Sequence, residues 1–540
     1  MDRRLALALL LSGLAVIVSS MLFPPAPRRT PPPTGPAPDS AAAVPQMRVP
    51  PRLDSTAGAG GADPQVADTL VVQTRKALYR FTTLGATAVD VALPEYRALN
   101  RDSGAVRLVR DSATLVAYRL VAGRDTVRLD QTAFAADETG SPDSLIFREV
   151  LSTGDVVLAY RFERDGYLLK VDGRVPAGIE EVVITLPRGL RSEEADLKDD
   201  RRYLAFALKP VRDDARSIDF SKLDSAERRQ ENGPFTWVAS KNKYFLVSLL
   251  TPVGGEPFSR VHLVGGPREN GAATTADAYV VLPVRQGAFS FEMYAGPQEW
   301  RRLRALGRDM EHANPYGGFM KGVVQPFATI VMRLLLWMHD RLSLSYGWVL
   351  VIFGIAVRII LWPLNQRAMR SSLKMQAVQP EMAAIQKKYR NNPQKQQEEM
   401  VRIYREHGMS PFSMFSGCLP MLIPMPVLFA LFFVFQNTIE FRGVSFLWLA
   451  DISLKDPYYV LPLIMGVSMY VLSWIGMRNA PPNPQAKMMM YMFPVIMTVA
   501  LLNMAAGLNL YYAVQNIAAL PQQWLIAQER ARHTASSSRA

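Results

Sequence analysis

Apolar residues follow two regimes along the chain. Between about 67 and 300 they alternate with polar residues in short runs, and beyond 345 they continue unbroken for bilayer-crossing lengths. In the first region Tyr167, Leu169 and Val171 would share one face of a strand, with Lys170 and Asp172 on the other. The preceding Asp165-Gly166 pair predicts a tight hairpin turn with positive backbone angles, joining this strand to Val156–Phe162. Further strands are expected at Leu70–Val72, Val127–Leu129, Glu181–Leu186, Tyr203–Leu208, Tyr244–Leu249 and Ala278–Leu282. Many short strands without intervening helices predict a large all-β β-sandwich over 67–312, closed by a helix at about Gln298–Met310.

The second regime predicts an α-helical transmembrane bundle. Met1-Asp2-Arg3-Arg4 precedes an apolar run, Leu5 to Phe23, longer than an ordinary signal h-region, and reads as a retained anchor over 1–23. Residues 24–66 are Pro/Ala-rich and aperiodic, as in an extended disordered tether. In segment 313–344, Phe319, Val323, Phe327, Ile330, Leu334 and Met338 recur at helical spacing. Lys321, Arg333, Asp340 and Arg341 interrupt them, which predicts an amphipathic helix at the membrane surface. Five spans are expected at about 346–364, 418–436, 458–477, 488–505 and 508–526, forming a core over 345–528, so that the anchor makes six. Residues 366–410 carry two helical stripes, one from Met375 to Tyr389 and one through Met400, Ile403 and Tyr404. Asn391-Asn392-Pro393 turns the chain between them, so the segment reads as a helical hairpin. Arg3 and Arg4, the hairpin cations, Arg478, Lys487 and the short basic tail 529–540 all fall on one side if the amino terminus is cytoplasmic. The sandwich is then external, periplasmic in a bacterium whose inner membrane holds the spans.

Composition narrows the chemistry. The formal charge of +13 sits beside apolar spans and accompanies no nucleic-acid motif. The one cysteine, Cys418, excludes an intramolecular disulfide and makes no metal site by itself; it reads as a small buried thiol. Walker, HExxH and GxSxG signatures are absent and the five histidines do not cluster, so no enzyme, metal or cofactor is expected. The many methionines in or near the spans either fill the bundle or adapt to varied apolar partners.

Arg358 is the exception inside an apolar run, Gly347 to Leu364. An arginine at mid-span costs roughly 2.5–3.5 kcal/mol on insertion scales, and such residues face a protein interior or a wet cavity. Alternatively its head snorkels to the surface near Asn365. No acid occurs in the five later spans, so water, carbonyls and amides must solvate it, most economically in a hydrated pocket open to lipid or cytoplasm. Asn503 and Asn509 lie toward the outer end of the last spans, with Tyr511, Tyr512, Gln515 and Asn516 deeper. The hairpin cations Lys387, Lys388 and Arg390 suit anionic lipid or ribosomal RNA, or merely satisfy topology.

Four stretches carry a resemblance: Gly354-Ile-Ala-Val-Arg358-Ile-Ile-Leu-Trp-Pro363-Leu364; Gly417-Cys-Leu-Pro420 with Met425-Pro426; Asp456-Pro-Tyr-Tyr-Val-Leu-Pro462 with Met465-Gly466; and Gly507-Leu-Asn-Leu-Tyr511-Tyr512. In order and spacing they resemble the YidC/Oxa1/Alb3 family of membrane protein insertases, in its Gram-negative six-span form. The resemblance implies a hydrophilic groove open to the cytoplasm and to lipid but closed toward the periplasm. Arg358 would be its central cation, Tyr511 and Tyr512 would touch substrate, and Leu428 and Met465 would line the exit into lipid. With Gly354, Asn503 and Gln515 these are the candidate groove residues. It implies an insertase and chaperone for nascent membrane proteins in the phospholipid bilayer, working alone or with the Sec translocon, with no small-molecule substrate. The hairpin would receive the nascent chain, and the tail is short for strong ribosome contact. Well-known bacterial members carry Thr where this chain has Gly354. The rival readings are a polytopic transporter and a passive scaffold of the secretion channel.

Overall fold

The computed structural model describes residues 68–100, 104–137, 143–269, 272–314, 321–366, 378, 381–382, 384–390, 392–406, 425–478 and 484–537. The expected anchor, the tether, Cys418 and the Gly417–Pro420 motif lie outside the described residues.

In the β-rich half, fourteen strands join antiparallel in one hydrogen-bonded network, beside a four-stranded sheet from Thr69 to Arg107. The network folds back on itself. Strands Ala117–Ala122 and Gly154–Phe162 lie eight steps apart in strand order, about 38 Å if the sheet were flat. Yet the Tyr118 and Tyr160 hydroxyls are 2.9 Å apart, and Tyr160 also donates to the Ala86 carbonyl at 2.6 Å. The turn is made where Arg228–Lys241 changes partner, pairing with Phe258–Gly265 by its first half and Phe245–Leu250 by its second, with a register shift between Asn232 and Phe235. Phe81 of the smaller sheet packs edge-on against Tyr160 and Phe162, closing one core.

The strand Leu168–Arg174 carries the expected alternation, with Tyr167, Leu169 and Val171 buried. The Asp165-Gly166 expectation needs correcting. The hairpin is there, closed by Glu163 N–H to Leu168 carbonyl at 3.0 Å, but neither turn residue has a positive φ. The loop is wider than a two-residue turn. A Cβ at Gly166 would fall 1.9 Å from the Glu163 carboxylate, the end of an exposed side chain that can swing aside. The closing helix is also shorter than expected, Trp300–Leu306.

The helical half contains α1 (Lys321–Leu342), α2 (Tyr346–Ile360), α3 (Pro393–Glu406), α4 (Met425–Asn437), α5 (Val460–Met477), α6 (Pro484–Leu501) and α7 (Ala506–Ser537). α1 and α2 meet at 117°. α1 packs on α4, while α7 lies against both α2 and α5. Of the expected α1 stripe, Phe327, Ile330 and Leu334 are exposed and Met338 is buried, while Ala328, Val331, Met332 and Leu335 face the bundle. Outward apolar side chains recur elsewhere, with Ile359 at 65% and Ile360 at 71% exposure. Such a surface is stable against lipid rather than water. Among the described residues, α5 alone is long and apolar enough to cross a bilayer unaided, and α1 with α2 passes as a bent pair. α7 runs to Ser537, well past the expected end of its span.

The halves are joined through the loop from Thr438 to Tyr459. Ile439 enters the β core, and Arg442 presents Nε to both Glu194 oxygens at 2.9 Å beneath the Phe245 ring. Arg301 pairs with Asp340 of α1 at 2.5 Å. Beside them the Glu440 oxygen Oε2 is buried without a partner, and burial, reinforced by Glu299, pushes its carboxyl up to about 7. A raised folded-state value means that this group's contribution to stability is complete below about 4.5 and is lost as the pH rises through about 7. Glu440→Gln is therefore expected to raise the melting temperature at about pH 8 and to leave it unchanged at about pH 4.5, measured by thermal denaturation in detergent.

Candidate functional site

Gly354 and Arg358 stand one turn apart on α2, so they share a face, and that face meets α7. On α7, residues 511, 515 and 522 recur at helical spacing and turn toward α2. The Gln515 amide donates to the Gly354 carbonyl at 2.7 Å. Close approach is possible because residue 354 has no side chain: a Cβ there would lie 3.0 Å from Val514 Cγ1 and 3.6 Å from the Tyr511 ring. Val514 therefore packs into the space that a side chain at 354 would take.

Arg358 is half-buried and donates from Nη2 to Gln522 Oε1 at 2.8 Å. Gln522 is fully buried, and its Nε2 donates to the Trp362 carbonyl at 3.1 Å and to Gln366 Oε1 at 3.2 Å. Only the amine end can donate to a carbonyl, so the amide oxygen is the end held toward the guanidinium. The pair leaves the charge uncompensated. Arg358 Nε is buried without a partner, and no ion pair to Arg358 exists among the described residues. Solvation by amides was the expectation, but Gln522 was not singled out. Its signal was present: it lies seven residues beyond Gln515, on the same face of one helix.

The other candidates divide. Tyr511 is buried, its ring 5.8 Å from Phe353 and 6.2 Å from half-buried Tyr512. Tyr511 joins the Arg358 neighbourhood, and Tyr512 touches it through the Tyr511 ring. Met465 is wholly buried in the α5 packing, and its carbonyl accepts from Ser468 Oγ at 2.8 Å and Asn516 Nδ2 at 3.3 Å. Asn503 is exposed in the turn before α7, whose first residue, Ala506, is about 24 Å along the helix from Gln522, and it does not belong to this cluster. Asn509 is buried and donates to the Leu501 carbonyl at 3.1 Å. The Leu428 side chain lies outside the described residues.

The structure thus joins a helical portion with outward apolar side chains and a half-buried cation to a large β-rich domain. Residues 69–330 match the YidC periplasmic domain, and residues 337–533 match the family described as 60Kd inner membrane protein. The membrane protein insertase YidC of Prosthecochloris aestuarii is 32% identical over 402 residues, 70% of this chain and 67% of that protein. That of Chlorobaculum tepidum is 28% identical over 530 residues, 92% and 87% of the two chains. A crystal structure of an active YidC insertase with its first transmembrane domain resolved aligns over 84% of this chain and 92% of its own, at 23% identity and a TM-score of 0.35. The chain belongs to the YidC/Oxa1/Alb3 family of membrane protein insertases.

Gln522→Leu is expected to lower thermal stability in detergent by about 1.5–3 kcal/mol, the penalty for stripping a charged group of its hydrogen bond. Gln522→Glu keeps the acceptor toward Arg358 but sets a carboxylate oxygen against the Trp362 carbonyl, so it is expected to melt below the wild type and above Gln522→Leu.

Proposed function

We propose that this chain inserts nascent membrane proteins and assists their folding through a groove on the cytoplasmic side of spans two to six, with Arg358 as its cation. The observation that carries the reading is the Arg358–Gln522 contact: the guanidinium is held by a neutral amide and keeps its full charge for an incoming group. A hydrophilic segment that must reach the periplasm faces a dehydration penalty in hydrocarbon, and water and a positive charge brought part way across shorten that barrier. Acidic segments are drawn toward Arg358. The following apolar helix then leaves sideways into lipid, driven by burial of its side chains. Tyr511 and Tyr512 contact the passing segment, Gly354 and Gln515 hold α2 and α7 together behind it, and Leu428 and Met465 belong to the exit side.

The arrangement proposed around this step has six spans, five of them the core over 345–528, with residues 1–23 as anchor and 24–66 as tether. The amino terminus is cytoplasmic, the membrane is the bacterial inner membrane, and 67–312 is the periplasmic domain. The 117° angle between α1 and α2 supports α1 as a surface helix leading into a span. The hairpin over 366–410 receives the nascent chain; within it Val378 and Ile403 are buried, as facing stripes require. The chain works alone or beside the Sec translocon, the tail from 529 adds a weak ribosome contact, and no cofactor or nucleotide takes part.

The test is insertion of a small one- or two-span substrate into liposomes containing only this protein. Arg358→Ala is expected to slow insertion of a substrate with an acidic translocated segment by about tenfold, and of one with a neutral segment far less. Equal rates for the two would remove the electrostatic step. Water or ion flux through the wild-type protein without substrate would favour a channel instead.

A further inference from the structure

The outer face of the β domain holds a cleft of about 720 Å³ that the insertion reading leaves unused. Its floor is the solvent side of three neighbouring strands, on which Ala117, Thr185 and Tyr279 stand side by side in register. The loop from Arg107 to Thr114 and the exposed Arg188 form its walls. Tyr118, Ile184 and Val280, one residue along, point the other way into the core, so this face is fixed by the alternation of the strands.

The charges in the cleft are unevenly satisfied. Asp111 pairs with Arg191 at 2.8 Å, Asp130 with Arg128 at 2.6 Å, and Asp277 accepts from the Arg188 backbone N–H at 2.8 Å. Arg110, Arg119 and Arg188 make no ion pair among the described residues. Arg110 spends two donors on the Leu190 and Thr274 carbonyls, at 2.9 and 2.8 Å. Arg119 lies over the Tyr279 ring at 5.2 Å, a stacking that leaves the edge of a guanidinium free to fork an oxyanion. The Thr185 hydroxyl, in a residue only 5% exposed, has no hydrogen-bond partner. Arg119 and Arg188, the latter touching only the Asp111 carbonyl at 3.5 Å, keep unspent donors beside three carboxylates, so the concavity suits a ligand that carries both carboxylates and N–H donors.

The rest of the lining narrows the class. The volume lies within the range of sites that enclose a drug-sized molecule, of the order of 300–1,000 Å³, and is far more than one phosphate needs. Val89, Val109, Ala113 and Pro187 give it apolar walls. Asp111, 86% exposed at its side chain, repels a polyphosphate but accepts from an N–H donor. We propose that this cleft binds an acidic polypeptide segment, its carboxylates forked by Arg119 and Arg188 and its backbone N–H groups facing the cleft carboxylates.

The probe is a fluorescently labelled hexapeptide of alternating Glu and Ala, titrated by anisotropy into the full-length protein in detergent. Saturable binding is expected, weakened by about tenfold or more in R119Q/R188Q and lost for the Gln/Ala peptide. Ala113→Trp, which fills the cleft without changing a charge, is expected to abolish binding as well, with the melting temperature of each variant checking that it folds. Equal affinity of the wild type and both variants would overturn the proposal. Full displacement of the peptide by inorganic phosphate or by glucuronate at equal concentration would also overturn it, by showing a simple oxyanion or anionic sugar site.

Discussion

A guanidinium inside an apolar helix must be solvated by something, and the way Arg358 is solvated organises the membrane half. A carboxylate partner would cancel its charge. An amide does not: Gln522 lends an oxygen, and its own nitrogen is anchored by the Trp362 carbonyl and Gln366. Holding that amide requires α7 to lie close along α2, which the missing side chain at 354 and the Gln515 hydrogen bond permit. The electrostatic requirement of one residue thus sets the separation of two helices.

The two halves of the molecule bury apolar surface by different rules. The β domain turns its side chains inward around one core and leaves polar faces to water. The helices bury one side against each other and leave another apolar side outward, as lipid allows. Between them sits a buried ion pair, Arg442 with Glu194, 4% and 6% exposed at their side chains. A pair of this kind adds little net stability after desolvation, but breaking it strands a charge, so it specifies one seating of the β domain on the Thr438–Tyr459 loop.

How much was legible follows from how local each signal is. The strand through Tyr167, Leu169 and Val171 was readable because period-two burial involves only near neighbours. The Asp165-Gly166 pair misled because the hairpin closes from Glu163 to Leu168 rather than across two residues, so neither needs a positive φ. Which strands face each other across the expected sandwich was beyond a sequence reading, since Tyr118 and Tyr160 meet across eight strand pairings.

By itself the sequence determined the division into an alternating β region and long apolar runs, the acid-free surroundings of Arg358, and the four stretches that mark the family. These depend on residue type and short spacing, which pairing and packing do not alter. Only the tertiary structure decided that Gln522 answers Arg358, that Asn503 stands apart from it, that Met465 is buried, and that three arginines of the β domain converge on one cleft. Each of these joins residues from different elements, and their approach is set by the packing of whole helices and sheets.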